Sequence, residues 1–465
     1  LEPDMVDALY HRGQAWATKG DLEAAISDYD LALGLLGDGP DGAPVYNARG
    51  RARMEQGDLQ AAMADFDRAI AADARFAMAI HNHGRAHYAG NEVAAAIADY
   101  ERAIALDSKQ AAFYTSRGLA RFDLDDLDDA LADYSQSIAL DPQYAPAFYN
   151  RGVARADLGA YQAAIADYSR AIVYYQAAGD KAMAYNNRAN AHFADGDVEA
   201  AIVDYSKAIA LNPRDATIYY NRGNARKSQG DLAGSVTDYG RAIELNPDDA
   251  TAYNNRGNAR YMLGDLEGAT GDYDRAVDLF SATEAHPGDR ATAHNNRGLA
   301  HAALYDLRSA IADYDAAIQL LPDNPEFAAD KATAYNNRGL AHRAQGDLAA
   351  AIADYSQAIL LNPHDAAAFG NRGNARFDQS YIGAAIADYD RTIALDARDA
   401  TAYYNRALAY RMNQEPERAI SDLKQVLKMA SEPELREKAE LQLEELRKTV
   451  SPWGNWSPKR VAVNY

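Results

Sequence analysis

The sequence predicts an all-α solenoid: an open stack of about twelve helix pairs. Three observations carry that reading. One template recurs along nearly the whole chain, its period is 34 residues wherever no loop is inserted, and each copy divides into two stretches of helical apolar spacing around a glycine turn. The template is clearest from Thr251 to Phe280. There it reads Tyr-x-Asn-Arg-Gly-x-Ala, then Gly-Asp, then Ala-x-x-Asp-Tyr-x-x-Ala.

The template arginine, or the residue in its place, falls at Arg12, Arg49, His83, Arg117, Arg151, Arg188, Arg222, Arg256, Arg297, Arg338, Arg372 and Arg406. Successive positions are 34 residues apart seven times, 37 twice and 41 twice. At 465 residues an ordinary chain would hold about three domains, but a solenoid grows by adding neighbours and not by enlarging one core.

Within one copy, Ala252, Tyr253, Gly257, Ala259 and Leu263 have helical spacing, and Gly264 stands where a helix would end. Asp265 follows as the N-cap of a second helix, in which Leu266, Ala269, Tyr273, Ala276 and Val277 make one apolar stripe. Asn-Pro steps at Asn212-Pro213, Asn246-Pro247 and Asn362-Pro363 stop that helix, because the residue before proline is pushed out of the helical region. The unit is an antiparallel helix pair with a short turn.

Gly257, Ala269, Tyr273 and Ala276, with Pro247 closing the previous unit, resemble the tetratricopeptide repeat (TPR) pattern in order and spacing. The match runs from about residue 5 to 430. Its departures are His83 for Arg, Ser235 for the inter-helix Ala, and Thr392 and Val426 for the second Ala. The resemblance implies a right-handed superhelix whose concave surface is lined by the first helix of each pair.

In chain order, the array occupies residues 1–430. Its first unit places Trp16 and Tyr29 in core roles, and longer joints fall near 37–44, 175–181, 281–291 and 321–332. The 41-residue intervals come from Ser281 to Arg290 and from Leu321 to Lys331. These read as longer second helices or edge loops and not as domain boundaries, since the pattern resumes in phase. Residues 431–450 are charged and amphipathic and suit a capping helix, which an open solenoid end needs for solubility. Residues 451–465 form a tail with Trp453 and Trp456. It is expected either to be a solvated tail or to dock into its own groove or that of a second copy.

Sixteen residues after each template position stands an aspartate, from Asp28 and Asp65 through Asp272 to Asp422. Arginine and aspartate lie equally far from the turn, so an antiparallel pair sets them face to face. A second Arg or His usually follows the first by four residues, as at Arg53, Arg121, Arg260, His87 and His342. A ladder of ion pairs at the helix seams is expected. Twelve copies of one carboxylate are structural in number, not catalytic.

The residue before the template arginine is asparagine at Asn82, Asn150, Asn187, Asn221, Asn255, Asn296, Asn337, Asn371 and Asn405. The row resembles the asparagine ladder of TPR superhelices such as those of O-linked N-acetylglucosamine transferases. A carboxamide carries a donor and an acceptor and can hold one peptide unit by two hydrogen bonds. Two roles are open: contacts to an extended ligand, or bonds to the neighbouring unit's backbone. Tyr149, Tyr220 and Tyr404, one residue earlier, and Phe122, Phe193, Tyr261 and Phe377, five after the arginine, are expected to add aromatic contacts. Paired lysines that clamp a C-terminal carboxylate in chaperone-binding TPR domains have no counterpart at these positions.

Net charge of −21 disfavours nonspecific nucleic-acid or anionic-membrane binding, and no apolar run is long enough to span a bilayer. The absence of cysteine excludes disulfides and thiolate metal sites. His83 and His87 have the i, i+4 spacing of metal ligands but occupy arginine positions, so they read as seam substitutions and no metal is expected. No phosphate-binding glycine loop or nucleophile elbow appears. The reading is a non-enzymatic scaffold that binds protein or peptide partners in a groove, without cofactors. Its alternatives are a regulatory or assembly module whose edges or convex face bind folded partners, and the interaction domain of a larger enzyme or effector. Self-association through the tail or the solenoid edges is a further option. Compartment is not legible: the chain is expected to be soluble, cytoplasmic before exported. It begins Leu1-Glu2-Pro3-Asp4 without Met, so a targeting segment can have preceded it.

Overall fold

A residue in a left-handed conformation, glycine in seven of the twelve turns, and an N-cap that is most often aspartate divide the chain into helices at each repeat. Gly264, with φ of 82°, ends one helix, and the Asp265 carboxylate accepts the Gly268 amide at 3.0 Å to open the next. The computed structural model describes residues 3–36, 39–283 and 285–450, and its packing divides the chain into two compact units, residues 1–230 and 231–465. Among the described residues there are 25 α-helices and two single 3-10 turns, with no strand.

The first unit opens with α1 (Pro3–Lys19) and α2 (Leu22–Leu36), then α3 (Ala43–Glu55) and α4 (Leu59–Ala72). It continues with α5 (Ala77–Ala89) and α6 (Val93–Leu106), then α7 (Ala111–Phe122) and α8 (Leu127–Leu140). It closes with α9 (Ala145–Asp157), α10 (Tyr161–Tyr174), α11 (Ala178–Ala194), α12 (Val198–Leu211) and α13 (Ala216–Gln229). The second unit begins with α14 (Leu232–Leu245), α15 (Ala250–Leu263) and α16 (Leu266–Ala282). There follow α17 (Pro287–Ala303), α18 (Leu307–Leu320), α19 (Ala328–Gln345) and α20 (Leu348–Leu361). The last are α21 (Ala366–Asp378), α22 (Ile382–Leu395), α23 (Ala400–Met412), α24 (Pro416–Met429) and α25 (Pro433–Val450).

The extra residues of the longer joints go mainly into helix. α11, α17 and α19 begin early, α16 runs on to Ala282, and 3-10 turns form at Pro40–Gly42 and Pro325–Phe327. At the end of the chain, Ala439, Leu443 and Leu446 of α25 cover Leu423 and Val426 of α24. Residues 451–465, with Trp453 and Trp456, lie outside the described residues.

Small residues let the two helices of a pair close on an aromatic ring. A methyl group added at Gly257 would fall 2.7 Å from Cε1 of Tyr273, so only hydrogen fits there. Where Ala407 replaces that glycine, the ring opposite is replaced by Leu423, whereas Ala189 at the same position shares its core cluster with Tyr205. Polar residues that replace core alanines carry their own bonds: the Ser137 hydroxyl donates to the Ala111 carbonyl at 2.8 Å and accepts from Thr115. Leu263, spaced as a core residue, is instead 51% exposed, because it sits on the last turn of α15 beside Gly264.

The ion-pair ladder is present. Arg256 donates through Nε at 2.9 Å and Nη2 at 2.6 Å to the two oxygens of Asp272, and Arg260 adds a bond at 2.8 Å. Equivalent forks join Arg49 to Asp65, Arg117 to Asp133, Arg338 to Asp354 and Arg406 to Asp422. All the template aspartates but Asp99 are buried. The remaining arm of the arginine reaches the preceding pair. Nη1 of Arg188 donates to Ser169 at 2.8 Å, that of Arg297 to Asp274 at 2.8 Å and that of Arg406 to Asp390 at 2.6 Å. Each such guanidinium ties a seam and a joint at once.

Asp313 shows how the ties depend on ionisation. Burial pushes its carboxyl up, but hydrogen bonds from His294 and Arg297 more than offset this, so it stays below the usual carboxylate range. A depressed folded value contributes stability that is complete above the unfolded value of about 3.9 and is lost as pH falls through the folded one. The urea midpoint should therefore drop as pH is lowered from about 4. In Asp313→Asn, less stable at neutral pH, that drop should be shallower; an unchanged slope would contradict this role for Asp313.

Candidate peptide-binding face

The first helices of successive pairs contact one another, as α3 does α5 and α7 does α9 in the first unit and α17 does α19 in the second. Among the described residues the second helices make no comparable contacts with each other. Each unit therefore has a close-set face made of first helices, and the asparagine row lies on it.

In the second unit the row is regular. Asn296 donates from Nδ2 to Oδ1 of Asn254 at 3.1 Å, Asn337 to Asn295 at 3.0 Å and Asn371 to Asn336 at 3.0 Å. Asn405 donates instead to Asn374 at 3.0 Å, since Gly370 leaves no side chain at the usual position. In the first unit Asn82 donates to Asn47 at 2.8 Å, Asn187 to the Tyr149 hydroxyl at 2.8 Å, and Asn221 to Asn186 at 3.3 Å. Asn150 and Asn255 are half-buried at the same helical position. The partners are side chains of the preceding first helix, not the backbone that was the alternative expectation.

Each of these bonds uses one amide hydrogen. In Asn296, Asn337, Asn371 and Asn405, all half-buried, the second N–H and the carboxamide oxygen make no hydrogen bond among the described residues. A pinned carboxamide with a spare donor and acceptor is chemically suited to a peptide unit.

A second set of asparagines supports the row. The buried hydroxyls of Tyr205, Tyr273 and Tyr389 donate to Oδ1 of Asn190 at 2.6 Å, Asn258 at 2.8 Å and Asn374 at 2.9 Å. Burial holds these phenols well above their usual range, so they remain donors. Where the equivalent residue is Leu340, the Tyr355 hydroxyl is buried with no partner among the described residues. Such an orphan costs about 1–3 kcal/mol.

The aromatic candidates divide. Tyr149 joins the polar row, and Tyr404 packs half-buried against the core of the last pairs. Tyr220 is half-buried on α13. Phe122, Tyr261 and Phe377 lean on the core clusters around Tyr134, Tyr273 and Tyr389, leaving part of each ring in solvent. Phe193 is more exposed than Phe122, Tyr261 and Phe377. The asparagines at 186, 254, 295 and 336 were not picked out from the sequence, although Asn-Asn doublets mark them.

Comparison with protein-family models finds the same repeat. The TPR repeat model matches residues 84–125, 118–159, 189–230, 223–264 and 373–414. Tetratricopeptide repeat models match 1–43, 43–76, 261–325, 332–365 and 400–433, so that matches cover most of the chain. The chain belongs to the tetratricopeptide repeat family. TPR proteins are generally protein-interaction scaffolds, and the fold is typically non-enzymatic. No curated protein matches the sequence. Among solved structures, yeast Tom70 is 15% identical, with 98% of each chain covered and a TM-score of 0.40. The APC/C hetero-tetramer Cut9-Hcn1 is 15% identical over 95% of this chain and 96% of that one, with a TM-score of 0.43. A TPR protein from Parabacteroides merdae is 20% identical over 57% of this chain and 98% of its own, at 0.44. These superpositions are loose, and membership in the TPR family rests on the repeat matches. No helix among the described residues is long and apolar enough to cross a membrane.

Removing one rung should loosen the face without unfolding it. Asn337→Ala is expected to lower stability by about 1 kcal/mol, the net worth of one hydrogen bond, as read from urea unfolding. A cost near that of a buried ion pair would mean that the row is a core element.

Proposed function

We propose that this TPR protein is a non-enzymatic scaffold that holds an extended polypeptide segment against its first-helix face. The observation that supports it most is the pinned row at Asn296, Asn337, Asn371 and Asn405, with a donor and an acceptor left over on each. Four such groups on successive repeats match the regular amides of an extended chain and ignore its side chains. Within the same unit the exposed parts of Tyr261 and Phe377 supply apolar contacts on that face, and Asn255 stands at the same repeat position. In the first unit Asn150, Asn187 and Asn221, with Phe122 and Phe193, make a corresponding row. Tyr149, Tyr220 and Tyr404 stand where other repeats carry a second asparagine, so they would vary the preference from repeat to repeat.

The test begins with an unstructured peptide selected on the intact protein from a random library. Asn296, Asn337 and Asn371 are then replaced together by alanine. Three lost hydrogen bonds at about 0.5–1.5 kcal/mol each should weaken binding about tenfold or more, with the helical circular dichroism retained. Unchanged affinity would move the binding surface to the edges or to the second-helix face, and this proposal would fall.

A further inference from the structure

One seam departs from the rest. In the α5–α6 pair the template arginine is His83 and the second arginine is His87, so Asp99 faces two imidazoles. No guanidinium lies within ion-pair distance of Asp99 among the described residues. His83 Nδ1 is 2.7 Å from Asp99 Oδ2 and His87 Nε2 is 3.8 Å from the same oxygen. Among the described residues, this is the one group of three His, Asp or Glu donors drawn together within 4.8 Å. The rings stand 4.5 Å apart and nearly perpendicular, and each turns one nitrogen toward Asp99 Oδ2.

The outer nitrogens face further carboxylates, that of His87 through a hydrogen bond and that of His83 at a longer distance. His87 Nδ1 is 2.6 Å from Glu92 Oε2, and His83 Nε2 is 3.5 Å from Asp67 Oδ1. On His87 the carboxylate bonded to the outer nitrogen holds the proton there, orients the ring and turns the inner nitrogen into a lone-pair donor, the arrangement found behind metal-binding histidines. A metal held by bonds of about 2.0–2.1 Å separates its tetrahedral ligand atoms by about 3.3 Å, between the two distances seen at Asp99. The three side chains are each 15–17% exposed, so an ion can enter and keep a water as a fourth ligand.

We infer that His83, His87 and Asp99 form a divalent transition-metal site of the zinc type, two imidazoles and one carboxylate, in which a dication replaces the guanidiniums of the other seams. Imidazole and carboxylate together suit Zn²⁺, Co²⁺ and Ni²⁺ better than the hard cations Ca²⁺ and Mg²⁺. The site lies at a seam and not on the asparagine row, so it stands independently of the proposed peptide binding.

The test uses the full chain, free of any affinity tag and stripped with a chelator. Zn²⁺ is titrated in by calorimetry, and Co²⁺ by its visible absorption. One equivalent should bind, with Co²⁺ bands of low coordination number and a raised melting temperature. His83→Arg restores the residue found in the other repeats and should fold normally while losing that equivalent and the Co²⁺ bands. Wild-type protein that takes up no more metal than His83→Arg would overturn the inference, leaving a proton on His83 as the counter-charge of Asp99.

Discussion

In all but one of the pairs the aspartate of the second helix is an anion almost out of reach of water, and the guanidinium forks that grip both of its oxygens are what make it stable there. In the pair built on Arg338 and Asp354 the fork closes at 2.9 and 2.6 Å, while the third nitrogen reaches Asp315 of the preceding pair at 2.5 Å. Burying such a pair brings little net stability over an apolar contact, but removing one partner strands the other charge at about 3–5 kcal/mol. The ladder therefore acts chiefly on register. A helix pair that slid by one residue would leave both charges unmatched, and the same residue fixes the next joint.

That constraint also places the asparagines. Each residue turns a helix by about 100°, so with the arginine driven into the seam, the residues three before and four after it share that side. They are the ring beneath the guanidinium, such as Tyr335 under Arg338 at 5.2 Å, and the second cation or histidine, such as His342. Residues one and two before the arginine, and two after it, are carried to the opposite sector. Those are the positions of Asn337, Asn336 and Leu340, and in the neighbouring repeat of Asn371 and Asn374. The face that can meet a ligand is thus a geometric consequence of the seam. Side chains placed there are free to vary, as the Leu340 exchange and the orphaned Tyr355 hydroxyl show.

Much of this was legible because the repeat states its own pairings. A constant interval of sixteen between Arg256 and Asp272, set symmetrically about Gly264, fixes the contact without coordinates, and the cap at Asp265 follows from the turn. What escaped depends on neighbours in space. Asn296 bonds to Asn254, 42 residues earlier, through a joint whose length varies, so the partner could be taken for backbone. The Asn-Asn doublets were passed over because tyrosine fills the same position at Tyr149, Tyr220 and Tyr404. The division at Gly230 leaves no mark in a template that continues unbroken, and Glu92 and Asp67 come to His87 and His83 from a turn and from the preceding pair.

The most direct test of the seam as the determinant of register is a double-mutant cycle on Arg338 and Asp354, followed by urea unfolding. Single changes to Met and Leu should each be costly, while the double change should recover much of the loss. That outcome gives a coupling of about 2 kcal/mol or more. A coupling within about 0.5 kcal/mol of zero would place the pair among surface ion pairs and contradict a seam held by a buried charge.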